Sequence, residues 1–235
     1  MSTVHLIGGE KGGVGKSVLA RVLCQYCIDG GLPFAALDAD RSHGALLRSY
    51  AEYTRPCDLD SFSSADQIID RALGAERQVI VDLPAQIAQS LSKWLEGSDV
   101  LNFAEELGIK LAFWHVTDGG YDSVNLLESM VDLQGGGNNR ANSVVVVKNH
   151  GRSDFFDQVD ESSAWKRLQA RGGHCIELPA LDSRTMYSID RSGMSFWAAI
   201  NENQGRHSLS TMERRRAALW LQACYDRLDN LNSVF

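Results

Sequence analysis

The sequence has no uninterrupted apolar run near the ~20 residues that cross a bilayer, so no membrane-spanning helix and no membrane anchor is expected. Its four prolines stand apart from one another, so no proline-rich linker divides the 235 residues. Five cysteines, an odd number without regular spacing, exclude a disulfide framework. Positive charge is scarce: 23 Lys and Arg against 30 Asp and Glu leave a formal net charge of −7. The molecule as a whole therefore repels polyanions, and a nucleic-acid role would need a local basic patch. The opening segment Met1-Ser2-Thr3-Val4-His5-Leu6-Ile7 lacks a basic n-region and is only briefly apolar. It does not read as a secretion signal, and the expected compartment is the cytoplasm.

What the chain does contain is ordinary globular material, and at this length a hydrophobic core needs no disulfide or metal support. Residues 1–235 read as one domain. Short apolar runs at Val4–Ile7, Phe34–Leu37, Val79–Asp82, Lys110–Val116, Val144–Lys148 and Cys175–Leu178 are each followed by Gly, Pro, Asp or Asn. Helical patterns lie between them, at Ser17–Asp29, Ser63–Leu73, Gln86–Leu95, Ser123–Leu133, Phe155–Arg171 and Thr211–Leu231. Doubly buried strands alternating with helices predict an α/β fold, a doubly wound and mostly parallel sheet with helices on both faces. Gly135-Gly136-Gly137-Asn138-Asn139 reads as a surface loop. The last helix opens on Ser210-Thr211-Met212-Glu213, a capping-box pattern, and its apolar stripe reads as core packing.

The first strand runs into Gly8-Gly9-Glu10-Lys11-Gly12-Gly13-Val14-Gly15-Lys16-Ser17, and a helix follows. Glycines let successive N–H groups turn inward toward an anion, and the helix aims its positive dipole end at the same place. Gly12, Gly13, Val14, Gly15, Lys16, Ser17 and Val18 are therefore the expected phosphate and nucleotide contacts. Lys16 supplies charge to the β- and γ-phosphates, and Ser17 supplies a hydroxyl to Mg²⁺. The common pattern G-x-x-x-x-G-K-[ST] fails at Glu10, and a second lysine, Lys11, is present. Two ammonium groups about 4 Å apart would repel by ~4 kcal/mol at an effective dielectric near 20. Either Lys11 points to solvent or a polyanion lies between the two.

Lys11-Gly12-Gly13-Val14-Gly15-Lys16-Ser17 resembles the deviant Walker A motif of the ParA/MinD group of P-loop ATPases. The resemblance implies that Lys11 acts in trans across an ATP-dependent homodimer while Lys16 acts in cis. Val18 departs from the group, which usually carries a second hydroxyl residue there. Asp38-Ala39-Asp40-Arg41-Ser42-His43-Gly44 is similar to the switch I segment, which makes Asp40 the residue that positions the attacking water. Asp38 would then lie near the metal. Arg41-Ser42-His43 departs from the Pro-Gln of partitioning members. Val79-Ile80-Val81-Asp82-Leu83-Pro84 has the Walker B arrangement, with Asp82 holding a water ligand of Mg²⁺.

Asn149, at the end of Val144-Val145-Val146-Val147-Lys148-Asn149, matches the base-contacting Asn of the group. No N-K-x-D is present to read guanine, which favours ATP. Leu178-Pro179-Ala180-Leu181-Asp182 is similar to the loop flanking adenine, giving Pro179 and Asp182 as further nucleotide contacts. The overall likeness around Gly8–Arg48 is to plasmid-encoded TraL- and StbB-like members. It implies a role in plasmid partition, positioning or conjugal transfer with a plasmid-encoded partner protein.

Cys24-Gln25-Tyr26-Cys27 reads as packing within a helix, because no second pair completes a zinc site. Arg214, Arg215 and Arg216 form the basic cluster, the candidate for non-specific DNA contact, with a solvated face as the alternative reading. Fanned over about 200° of helix, they do not make one stripe. Two other functional classes fit the same motifs. One is a nucleotide-gated adaptor with negligible hydrolysis. The other is an ATP-dependent small-molecule ligase or kinase on the same scaffold, as in dethiobiotin synthetase relatives.

Overall fold

A computed structural model describes residues 1–9, 11–40, 43–134, 142–203, 208–231 and 234–235. Glu10, Arg41, Ser42, the glycine-rich segment 135–139, Arg206 and His207 lie outside the described residues. The strands are β1 (Thr3–Gly8), β2 (Phe34–Asp38), β3 (Thr54–Pro56), β4 (Gln78–Asp82), β5 (Lys110–Thr117), β6 (Ser143–Asn149) and β7 (His174–Leu178). They form one sheet in the order β3-β2-β4-β1-β5-β6-β7, and every described pair is parallel. The helices are α1 (Lys16–Asp29), α2 (Ala45–Ser49), α3 (Phe62–Ala65), α4 (Gln67–Asp70), α5 (Ala88–Gly97), α6 (Val100–Glu106), α7 (Tyr121–Gln134), α8 (Asp157–Glu161), α9 (Ser163–Ala170), α10 (Ser183–Ser192), α11 (Phe196–Asn201) and α12 (Thr211–Leu228), followed by a 3₁₀ turn at Asp229–Leu231.

Because side chains alternate across a strand, each strand feeds two cores. Ile7, Ile80, Trp114, Val145 and Ile176 pack under α1, α11 and α12 on one face. Leu6, Val81, Phe113 and Val146 pack under α4 to α9 on the other. Both faces are covered, which is why the strands read as continuous apolar runs and pair in parallel.

The six anticipated strands lie within a residue of their expected bounds. β3 was not anticipated: Thr54-Arg55-Pro56 is short and mostly exposed, as edge strands are. Two anticipated helices are each broken in two. The segment over 63–73 divides at Asp66. The one over 155–171 divides at Ser162, whose backbone is extended and whose side chain accepts the N–H of Trp165 at 3.1 Å, capping α9. A serine offering its oxygen to the backbone competes with helix continuation, and here it starts a new helix instead. The helices α2, α6, α10 and α11 add to those anticipated. The tail helix opens on the expected capping box, with Ser210 and Glu213 bonded reciprocally.

The loop after β1 and the loops after β2, β4, β5 and β6 all end at the carboxyl edge of the sheet. Among them the chain switches from building outward past β2 to building past β5, and a crevice opens at such a point.

Candidate functional site

The loop between β1 and α1 is shaped by glycine where side chains would not fit. Gly13 and Gly15 have φ of 84° and 106°, in the left-handed region. A methyl on Gly15 would stand 2.1 Å from Asn149 Nδ2, and one on Gly9 would stand 2.7 Å from the Val116 carbonyl. At Gly12 and Gly13, by contrast, nothing among the described residues lies within 4 Å of that position. The loop is thus pressed against β5 and β6 on one side and open on the other. Gly15 caps α1 without a side-chain hydrogen bond, which leaves the first N–H groups of a 14-residue helix directed into the opening.

Lys16 is 7% exposed, and its Nζ donates to the carbonyl of Lys11 at 3.2 Å, folding back along the loop. Lys11 points out of the loop and pairs within the same chain, Nζ to Asp118 Oδ2 at 3.1 Å. Asp118 follows β5. Burial opposes its ionisation, but the Gly120 N–H and the Lys11 ammonium outweigh that and hold its carboxyl below the usual range. The two lysines avoid repulsion in this arrangement because each has its own acceptor.

Asp82, at the end of β4, is fully buried, and neither carboxylate oxygen makes a hydrogen bond of ordinary geometry among the described residues. Burial pushes its carboxyl up to about 7; the Ser17 hydroxyl beside it and Lys16 oppose the rise, while Asp38 and Asp40 add to it. A bare carboxylate is costly in such a place, and a divalent cation is the partner that would satisfy it. The donor set of an ionisable carboxylate and a neighbouring hydroxyl, all oxygen, suits Mg²⁺.

Asp38 is also buried, but its oxygens are engaged. Oδ1 accepts the N–H of Asp40 at 3.1 Å, and Oδ2 accepts those of Leu46 and Leu47 at 2.9 and 3.1 Å. Burial raises its carboxyl, and these three N–H bonds oppose the rise. Asp38 therefore ties the start of α2 to the sheet and sets the direction of Asp40. Asp40 points into the cleft, with Oδ1 accepting from the His43 backbone and Oδ2 against His43 Nδ1, both at 3.2 Å.

Asn149 reaches the back of the phosphate loop rather than open space. Its Nδ2 donates to the Val14 carbonyl at 2.7 Å and its Oδ1 accepts from Gly151 at 2.9 Å. Asp182 is the N-cap of α10, accepting the N–H and hydroxyl of Thr185 at 3.0 and 2.8 Å, which hold its carboxyl below the usual range. Pro179 lends its carbonyl to Trp220 Nε1 at 2.7 Å. Arg216 approaches Asp182 at 4.0 Å, so one member of the basic cluster lies on α12 against the α10 cap. Arg215 is exposed and Arg214 half-buried. Cys24 and Cys27 are buried in α1 with thiols pushed up by burial, Cys27 to about 12.

The open cleft of about 1000 Å³, solvent included, is walled by Gly12, Gly13, Gly15, Lys16, Ser17, Val18 and Asp40. Its remaining walls bring in Arg21, Arg48, Arg152 and Asp190, which the sequence reading did not single out. Arg21 bridges α1 to α10 through Asp190 at 2.6 Å. Those partners stand 169 positions apart in the sequence, which gives no local signal. Arg152, three residues past Asn149, was the more findable of the cations.

No protein-family model matches the chain. The ParA family ATPase from Chlorobium tepidum TLS superposes with a TM-score of 0.54 at 13% identity, over 94% of this chain and 97% of that one. The MinD cell division protein of Aquifex aeolicus superposes with a TM-score of 0.52 at 14% identity, over 94% and 96%. This chain has the ParA/MinD fold. Along its length the chain is also similar to Protein TraL of Escherichia coli. The two are 26% identical over 242 residues, which cover 97% of this chain and 98% of TraL.

Proposed function

We propose that this chain is a Mg-ATP-dependent ATPase of the ParA/MinD type that dimerises on ATP and acts in plasmid partition, positioning or conjugal transfer. The observation that carries the reading is the buried carboxylate of Asp82, without a hydrogen bond of ordinary geometry among the described residues, next to Ser17 and at the edge of a glycine loop that is open on one side. Its fold is that of ParA and MinD ATPases, and its full-length similarity to TraL supports the plasmid setting.

In this reading the amides of Gly12, Gly13, Val14, Gly15 and Ser17, with Val18 behind them, cradle the phosphates, and Lys16 leaves the Lys11 carbonyl to meet them. Ser17 and Asp82 would hold Mg²⁺, which would supply positive charge against that of the phosphates. Asp38, its oxygens already taken by amides, adds negative charge nearby and fixes Asp40. Asp40 orients a water for in-line attack on the γ-phosphate, a reaction that is mostly positioning and charge neutralisation. Asn149 braces the loop beneath the base, with Pro179 and Asp182 lining the adenine side. Lys11 exchanges Asp118 for the ATP of a second copy.

Sedimentation with ATP, ADP and no nucleotide tests the dimer. ATP alone is expected to drive self-association of the wild type, and Lys11→Ala is expected to stay monomeric. Wild-type protein that stays monomeric with ATP refutes the sandwich.

A nucleotide-gated adaptor with negligible turnover is the second reading, and the engagement of both Asp40 oxygens by His43 favours it. Phosphate release separates the two. Turnover that falls at least tenfold in Asp40→Ala supports hydrolysis, and equal, negligible rates support the adaptor. The non-specific DNA contact assigned to Arg214, Arg215 and Arg216, and the partner protein, belong to either reading.

A further inference from the structure

On the sheet face opposite α1 lies a second cavity, of about 90 Å³. Leu6 and Phe113 form its floor, Leu91 of α5 and Leu126 and Met130 of α7 its sides, and Leu101 of α6 its end. Among the described residues no charged side chain lines it, and the hydroxyls in its wall are those of Ser92 and Ser129, the latter exposed at the mouth with Ala88. Water gains little there, because a buried water needs two to four polar partners. The inner volume is too small for a helix or a peptide segment. An engineered apolar cavity of roughly 150 Å³ binds benzene, and this one, smaller but open at its mouth, takes a molecule of that size at most.

Two chain segments run from this cavity to the nucleotide cleft. Gly8 and Gly9 line it and then lead into the phosphate loop. Leu83, Ile87 and Ala88 also line it, while Ala85 of the same short segment lines the cleft, and Asp82 immediately precedes it. Between Ala85 and Ile87 stands Gln86, exposed, with φ of 57°. A non-glycine residue held there is strained, and such strain collects in segments that switch.

We propose that the cavity between α5 and α7 is an effector site for a small uncharged apolar molecule, of one ring or a short alkyl chain. Occupancy fixes the position of Leu83 and Ile87, and so of the segment that connects Asp82 to the cavity. By linkage, a ligand that prefers one position of this segment changes nucleotide affinity, and nucleotide changes its affinity by the same factor. The site stands on the cavity itself; the coupling rests on the nucleotide reading above.

Benzene is the probe, with methyl NMR of Leu91, Leu126 and Met130 as the readout of the site and the Kd for Mg-ATP as the readout of coupling. Benzene is expected to shift those methyl signals and to change the Mg-ATP Kd at least threefold. Both effects should vanish in Ala88→Leu and, as an independent plug, in Ser129→Leu. Unmoved methyl signals up to the solubility of benzene, or equal shifts in both plugged variants, overturn the site. Shifted signals with an unchanged Kd overturn its role as an effector. If Mg-ATP does not bind at all, the nucleotide reading and the coupling fall together, while the methyl shifts still decide whether the cavity takes a ligand.

Discussion

Asp82 and Asp38 are two carboxylates at adjacent strand ends, and their surroundings separate them. Asp38 accepts three backbone N–H bonds, whereas Asp82 is buried without one among the described residues. Asparagine at position 82 keeps the shape and removes the charge. Asp82→Asn is therefore expected to stabilise the metal-free protein at pH 8 by a few kcal/mol, about what a buried, unpaired charge costs. The same change should weaken Mg-dependent nucleotide binding by about tenfold or more. Urea unfolding without metal and calorimetry with Mg-ATP read the two effects, and a loss in both would mean the carboxylate has a structural partner. At this scale the phosphate loop was legible because its residues are consecutive and their chemistry depends on spacing alone. Asp118 and Arg21 were not, since each acquires its role from a partner more than a hundred residues away.

Elements were legible in the strands and less so in the helices. A strand buried on both faces needs only a run of apolar residues, and six of these stood out. A helix boundary depends on which oxygen caps which amide. Ser162 looks like an ordinary polar residue within a helical pattern, yet it ends one helix and caps the next. Ser162→Ala is expected to cost about 1 kcal/mol, the usual worth of an N-cap. The midpoint of chemical denaturation would show it, and an unchanged midpoint would mean α8 and α9 can run on as one helix. The helices α10 and α11 carry readable caps, Asp182 and Ser195, each accepting the N–H three residues on. Both were passed over because their apolar stripes are short.

Across the whole molecule, two histidines sit inside the sheet. His5 on β1 accepts from Trp114 Nε1 at Nδ1, which leaves Nε2–H to donate to Gln78 at 2.8 Å, the neutral form. His115 on β5 is fully buried, and neither ring nitrogen makes a hydrogen bond of ordinary geometry among the described residues. Burial lowers both to about 4, with Gln78 opposing at His5 and the Ser123 backbone at His115. The unfolded chain therefore binds more protons than the folded one between about pH 4 and 6.5, and stability falls as pH falls through that window. Asp82, raised to about 7, acts in the opposite sense, since its contribution is lost as pH rises through 7. Asp38, also raised by burial, adds to Asp82, so the two carboxylates offset part of the histidine loss and the net expectation is a small loss of stability from pH 6.5 to 4.5. Urea midpoints across that range check it, and His115→Leu should flatten the slope.

From the residues alone come the parallel sheet with helices on both faces, the phosphate loop and the acidic strand ends. These depend on apolar runs, on glycine's missing side chain and on the order of neighbours along the chain. Only tertiary structure decided that Asp38 is occupied while Asp82 is bare, that Lys11 rests on Asp118, and that an apolar cavity backs the segment after Asp82. Each of these is a meeting of distant segments, and burial, which sets the cost of an unpaired charge or an empty space, exists only once those segments have met.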